Sequence, residues 1–328
     1  ARILAGSAAA PAVGRGGRRY VAGRLAPGGS LLTCFDAAGN RLWTTTATAM
    51  ATATCVVAAP DGSVYVGGMY RDSLRVGPRR VWSHGGYDGF LAKYDATGAG
   101  VWVQSLGGPG EDVVRAVSLA GPASVVVTGY VHEGAWLGEQ PVTTGPACTV
   151  AFLTAYAPAT GRQQWAVSGT GTQSAVGTGV AFSPDGGQGC ASGVFYGALT
   201  FAPTPALQPA CAGDLFAVHC TLPLTDLVVN TAQTVWGSYR NITVTGTGAA
   251  TVGGPLSAAG TVVVQRGGVL DLGSQLLAGG GSFTLAAGAE LRTATADGLA
   301  AAGSAGAIRL TGPRTFSQQA TYVYNGAR

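Results

Sequence analysis

Three copies of one motif constrain this chain more than any other feature. Phe90-Leu-Ala-Lys-Tyr94-Asp95-Ala-Thr-Gly98-Ala-Gly-Val-Trp102 is preceded by Leu31-Leu-Thr-Cys-Phe35-Asp36-Ala-Ala-Gly39-Asn-Arg-Leu-Trp43 and followed by Phe152-Leu-Thr-Ala-Tyr156-Ala-Pro-Ala-Thr-Gly161-Arg-Gln-Gln-Trp165. The tryptophans fall 59 and 63 residues apart, and a degraded fourth copy begins at Leu215-Phe216-Ala-Val-His219. A second segment keeps the same beat: Tyr20-Val-Ala-Gly23, Tyr65-Val-Gly-Gly68, Val126-Val-Thr-Gly129 and Cys190-Ala-Ser-Gly193. Pro60-Asp61-Gly62 and Pro184-Asp185-Gly186 stand before two of these as turns, Gly supplying a positive φ and Asp bonding its own backbone. The alternation has period two, so each unit reads as four short strands, one unit being Val101–Leu106, Val113–Leu119, Val125–Val131 and Val150–Tyr156. Four-stranded units in tandem are the signature of propeller blades.

From about residue 223 the beat shortens. Gly260-Thr-Val-Val-Val264-Gln-Arg-Gly267-Gly-Val-Leu270 recurs as Gly281-Ser-Phe-Thr-Leu285-Ala-Ala-Gly288-Ala-Glu-Leu291, a spacing of 21, and Asn241–Gly246 and Ala307–Gly312 have the same strand-then-Gly texture. About 20 residues per coil suits a β-solenoid, a stack in which each coil contacts only its neighbours; a flat β-sandwich is the alternative. The expected fold is therefore all-β: a β-propeller-like repeat domain of about four units over residues 1–222, then a β-solenoid over 223–328.

Composition decides whether so glycine-rich a chain folds at all. Charged residues make up 10% and Gly fills 54 of 328 positions, but the short runs of Val, Thr, Tyr, Phe and Trp supply the apolar surface that disordered chains lack. The net charge of +4 is small, with Arg15, Arg18 and Arg19, then Arg79 and Arg80, as the densest basic groups. They read as solvated loop arginines, and no nucleic-acid partner is expected. No window approaches the ~20 apolar residues of a membrane helix, so no membrane insertion is expected. The start, Ala1-Arg2-Ile3-Leu4, has neither an initiator Met nor a signal-peptide core, which reads as part of a longer parent.

The run Tyr94-Asp95-Ala-Thr-Gly98…Trp102-Val-Gln-Ser-Leu106-Gly107-Gly108-Pro109-Gly110-Glu111-Asp112, with Ala116-Val117 and Val127-Thr128-Gly129-Tyr130, resembles the SBBP-type β-propeller repeat of modular bacterial surface and secreted proteins. The resemblance spans roughly residues 1–222 and is strongest over 85–131. It also resembles the blade signature of quinoprotein propellers, in which the Trp docks one blade on the next. That family's dehydrogenases use adjacent cysteines, and this chain has no Cys-Cys dipeptide, so Trp43, Trp102 and Trp165 read as structural and no cofactor is expected. The later stretch resembles the Gly-Thr-Leu-rich solenoid repeats of long surface proteins exported by the type IX route. Both resemblances imply an extracellular or bacterial cell-surface location.

Six cysteines, Cys34, Cys55, Cys148, Cys190, Cys211 and Cys220, lack zinc-ligand spacing and suggest disulfides. Sequence proximity pairs Cys34 with Cys55 and Cys211 with Cys220, leaving Cys148 with Cys190. Asp36, Asp61, Asp95 and Asp185 each bring a single acid to a turn, where calcium needs several carboxylates, so they read as turn formers and no metal is expected. The adjacent acids Glu111 and Asp112 point to opposite faces of an extended chain, unlike a glycosidase pair. The loop around Trp136, flanked by Glu133 and Glu139, is the best local candidate for a sugar or peptide contact, an aromatic to stack and acids to accept hydroxyl hydrogens. Asn241-Ile242-Thr243 fits the N-glycosylation sequon, and Asp72-Ser73-Leu74 resembles a short bacterial O-glycosylation motif with Ser73 as acceptor.

These features lead to a non-catalytic, secreted or surface adhesin or structural scaffold that contacts an extracellular glycan or surface protein through propeller loops. One alternative is a self-assembling subunit of an extracellular filament, joined through open strand edges such as Thr261–Val264 and Thr321–Tyr324. The other is an extracellular polysaccharide-active enzyme.

Overall fold

A computed structural model describes residues 7–25, 29–46, 48–138, 140–143, 149–183, 186–202, 205–222, 224–295, 298–300 and 305–326. The chain divides into two compact units. The first takes residues 1–119, 123–182 and 189–220, and the second takes 221–328 together with 120–122 and 183–188.

Among the described residues, the first unit holds four larger antiparallel sheets in chain order and two small two-stranded ones, Trp136–Leu137 with Gln140–Pro141 and Thr170–Gly171 with Leu199–Thr200. The first sheet is Ser7–Val13, Arg19–Leu25, Gly29–Phe35 and Arg41–Thr46. The second is Thr48–Ala58, Val64–Val76, Asp88–Tyr94 and Gly100–Leu106, with Arg79–Trp82 added to the far end of Val64–Val76. The third is Val113–Ala120, Ser124–His132, Thr149–Tyr156 and Gln163–Ser168, and the fourth is Ala175–Phe182, Gln188–Phe195 and Asp214–Thr221. The repeated glycine segments supply the second strand of every sheet, the Phe/Leu–Tyr segments the third, and Trp43, Trp102 and Trp165 ride on the fourth. The unit boundary differs from the sequence expectation. Gly100–Leu106 folds back on Asp88–Tyr94 across the tight Asp95–Ala99 turn and closes the second sheet, so the third sheet opens one strand later, at Val113.

Two repeated devices hold these sheets. Gly68, Gly129 and Gly193 lie where a Cβ would overlap the carbonyl oxygens of Thr52, Val113 and Val176 on the neighbouring first strand. In the second and fourth sheets that first strand bulges nearby, between Ala53 and Cys55 and between Gly177 and Gly179. Only glycine permits so close an approach. The second device is the tryptophan. Trp43 Nε1 donates to Ala96 O (3.2 Å) and Trp102 Nε1 to Pro158 O (3.1 Å), in each case the turn after the third strand of the next sheet. Gly98 and Gly161 lie beneath the two rings with φ of 87° and 71°, and a Cβ on either would come within 2.7 Å of the indole.

Asp36 and Asp95 build their turns by accepting hydrogen bonds from Asn40 N and from Thr97 and Ala99 N. Asp61 does the same for Ser63 N (2.8 Å). Pro184 and Asp185 lie outside the described residues.

The expected cysteine pairs are corrected. Cys34, Cys55, Cys190, Cys211 and Cys220 are free thiols, and Cys148 lies outside the described residues. Cys34 packs with Tyr20, Ala53 and Val56 between the first and second sheets. Cys55 Sγ sits in a different layer, against Gly67 and Val114. Proximity in sequence does not survive strand alternation, which sends neighbouring side chains to opposite faces. Cys211 Sγ donates instead to Gly213 O (2.9 Å), and Cys220 Sγ to Val218 O (3.8 Å).

The second unit is parallel throughout its named pairings. Leu227–Val229, Ile242–Val244, Thr261–Val264, Ser282–Leu285 and Arg314–Phe316 stack in one sheet. Ala249–Ala258 carries the second, pairing with Ala232–Tyr239, Val269–Asp271 and Leu277–Gly279. The 21-residue repeat is the register: Val262 pairs with Phe283 and Leu270 with Leu291. Val229, Val244, Val264 and Leu285 form one buried ladder inside a curled apolar core with Leu270, Leu291 and Ile308. A sandwich of hairpins would pair antiparallel, whereas the named strands of this unit pair in parallel.

Candidate functional site

A cleft of about 540 Å³ opens between the second and third sheets. The second sheet contributes Arg79 and Val81 from its added strand and Trp102–Ser105 from its last; the third contributes Tyr156, Thr160, Arg162 and Gln163, with Gly138 at the border. The docked Trp102 fixes one wall against the turn that carries Thr160 and Arg162. Lys93 braces the same turn, its Nζ donating to Pro158 O (3.0 Å) while lying 5.6 Å from the Tyr65 ring centroid.

The polar groups of the cleft divide into engaged and open ones. Gln163 Nε2 donates to Leu137 O (2.8 Å) and Thr154 Oγ1 (3.0 Å), so that amide is held in place. Ser105 Oγ donates to Asp88 Oδ2 (3.2 Å) and pairs with Tyr70 OH (2.7 Å). Arg79 and Arg162 are exposed, and neither guanidinium has an ion pair among the described residues. The Tyr156 hydroxyl is buried without a hydrogen-bond partner. Its polar neighbour Thr154 Oγ1 already donates to Trp165 O (2.9 Å) and accepts from Gln163. Burial pushes the Tyr156 phenol well above its ordinary range, so it remains a donor at any physiological pH.

Solved structures similar to the chain include the following two. One is a protein of unknown function from Bacteroides caccae, 12% identical with a TM-score of 0.35, covering 63% of this chain and 61% of that one. The chain thus spans about three fifths of that protein's length. The other is BamB from Moraxella catarrhalis, 13% identical with a TM-score of 0.23, covering 66% of this chain and 77% of that one. No protein-family model matches the sequence, and no curated protein does.

The Trp136 loop borders this cleft through Gly138. Trp136 is 51% exposed, while its backbone bridges Gly107 in both directions and Leu137 is buried beneath it. Glu133 is exposed on the same loop, and Glu139 lies outside the described residues. Ser73 pairs with Trp82 at the base of the Val64–Trp82 hairpin. Asn241 ties together neighbouring segments of the second unit: Nδ2 donates to Asp226 Oδ1 (2.9 Å), and Oδ1 accepts from Thr261 N (2.8 Å) and Oγ1 (3.1 Å).

Sequence reading missed two groupings. Arg79 and Arg162 meet at the cleft from separate repeats; the signal was the crowding of Arg71, Arg75, Arg79 and Arg80 into one short alternating segment. The other is a pair of fully buried carboxylates, Asp88 and Asp112, on either side of Gly107. Asp88 accepts from His84 Nδ1 (3.0 Å) and Ser105 Oγ; Asp112 accepts from Gly108 N and His132 N (both 2.7 Å). Burial first, and their mutual repulsion at Asp112, raise both above the usual carboxylate range.

Proposed function

We propose that this protein is a non-catalytic extracellular adhesin or scaffold. Its propeller-like unit takes a ligand in the cleft between the second and third sheets, and its solenoid-like unit adds length. The observation that carries this reading is the cleft itself: strands of two sheets converge on it, and its arginines are exposed and lack ion-pair partners among the described residues. Such a concave site with a few convergent polar groups suits binding. The parallel coils suit a stalk because each one adds length without a new core.

A panel of immobilised extracellular glycans and surface-protein fractions tests this. The full chain is expected to retain at least one ligand, and Thr160→Trp, which fills the cleft from an exposed turn, is expected to abolish retention. Retention that survives Thr160→Trp, or no retention at all, would contradict the reading.

The second reading, a filament subunit, draws support from strand Thr321–Tyr324, where Tyr322 and Tyr324 are exposed beside the rung Glu290–Thr293. Electron microscopy over a wide concentration range separates the two: regular fibres favour the filament, isolated particles the adhesin.

A further inference from the structure

The geometry points to a ligand class: a polysaccharide carrying oxyanions, uronate or sulfate, that enters the cleft and continues along the hairpin of residues 71–82. This rests on the binding-module reading above.

The hairpin joins the end of Val64–Val76 to Arg79–Trp82, with Val76 opposite Arg79, Arg75 opposite Arg80, Leu74 opposite Val81 and Ser73 opposite Trp82. Directly opposed residues share a face. One face therefore holds Leu74 and Val76, both buried, together with Val81 and Arg79, the two that line the cleft. The outer face holds Arg75, Arg80 and Trp82.

That outer face is costly without a ligand. Arg75 and Arg80 are like charges directly opposite each other, an arrangement that destabilises a strand pair. Asp72 is the sole acid in this segment, and no ion pair reaches either arginine among the described residues. Trp82 is 61% exposed, with the Arg80 guanidinium 5.5 Å from its ring centroid. Asp72, at the hairpin's base, is the one non-glycine among the described residues with positive φ, 66°. Uncompensated charge and local backbone strain together mark a functional surface.

The chemistry selects the ligand. A guanidinium fork matches a carboxylate or sulfate bidentately. An exposed indole stacks on the apolar face of a sugar ring. In the cleft, Arg79 and Arg162 supply the forks, and Gln104 an amide suited to ring hydroxyls. A neutral glycan would leave four guanidinium groups uncompensated, and the two exposed indoles, Trp82 on the hairpin and Trp136 on the loop at the cleft border, belong to separate elements and do not make the continuous stacking platform of a single-strand binder.

Binding of the full chain is measured by calorimetry against polygalacturonate, dextran sulfate, neutral dextran and a single-stranded oligonucleotide, each at low and high salt. Saturable binding to polygalacturonate or dextran sulfate is expected, weakening with salt and absent for dextran; the tighter of the two names the oxyanion. Arg79→Ala with Arg162→Ala, and separately Arg75→Ala with Arg80→Ala, are each expected to weaken binding by about 10- to 100-fold. The corresponding lysine pairs are expected to recover part of the loss, and unchanged melting of each variant shows that the fold is kept. Dextran bound as tightly as its sulfate, the oligonucleotide bound more tightly than either polyanion, or arginine variants that bind normally would overturn the inference. Dextran retained in a Thr160→Trp-sensitive manner would overturn it while leaving the binding-module reading intact. Failure of every ligand here and in the wider panel would sink both.

Discussion

Asp88 and Asp112 show how a single side chain couples this fold to pH. Their carboxyls are held above the ordinary range, chiefly by burial. In linkage terms the folded state then binds more protons than the unfolded one. The stability this contributes is complete below the unfolded carboxylate value near 4 and is lost as pH rises through the folded values. Asp36, Asp95, Asp214 and Asp226 are held low by hydrogen bonds and act oppositely, losing stability only as pH falls below that range. Urea titrations at a series of pH values are therefore expected to show stability declining from about pH 4 upward. Asp112→Asn should flatten that decline; an unchanged slope would mean that the pair does not control it. The thiols make a second residue-scale test. Burial pushes the Cys55 thiol up to about 12, whereas Cys190 and Cys211 are exposed. A thiol reagent at neutral pH is expected to modify Cys190 and Cys211 in the native protein, and Cys34 and Cys55 only after unfolding. Protection of all of them before reduction would indicate pairing.

At the scale of the element, the repeated Gly fits one strand to its neighbour and the repeated Trp fixes one sheet to the turn of the next. Gly129→Ala forces a methyl onto Val113 O and should cost about 1–3 kcal/mol in urea denaturation. Trp43→Phe keeps an aromatic ring over Gly98 but removes the hydrogen bond to Ala96 O, so a smaller loss, about 0.5–1.5 kcal/mol, is expected. Either variant at wild-type stability would contradict the role given to its residue. Both residues were legible as a beat in the sequence, because the second, third and fourth sheets ask for the same close approach between their first two strands and the joints to the next sheet ask for the same indole. What they do was not legible, since the acceptors Val113 O and Ala96 O are backbone atoms that leave no mark on composition. The 21-residue beat was legible for a related reason: in parallel pairing, the sequence repeat is itself the register. The strand membership of Val101–Leu106 was ambiguous because every strand alternates alike, and only the tight Asp95 turn assigns it to the sheet before.

For the whole molecule, the question is whether a chain with so few charges uses them to bind. Arg79 and Arg162 lie far apart in sequence and converge because Trp102 docks one sheet on the turn of the next. The crowded arginines of residues 71–80 marked one side of that convergence but no local pattern announced the other, and so the sequence drew attention to the Trp136 loop, which forms a border of the cleft. The central claim is that this cleft holds an extracellular ligand without altering it. Its most direct test is to incubate the full chain with the polysaccharide it retains, recording the binding isotherm and the polymer's size distribution together. The account predicts saturable binding, lost in Thr160→Trp, with chain length unchanged. Progressive shortening of the polymer, or binding indifferent to Thr160→Trp, would contradict it.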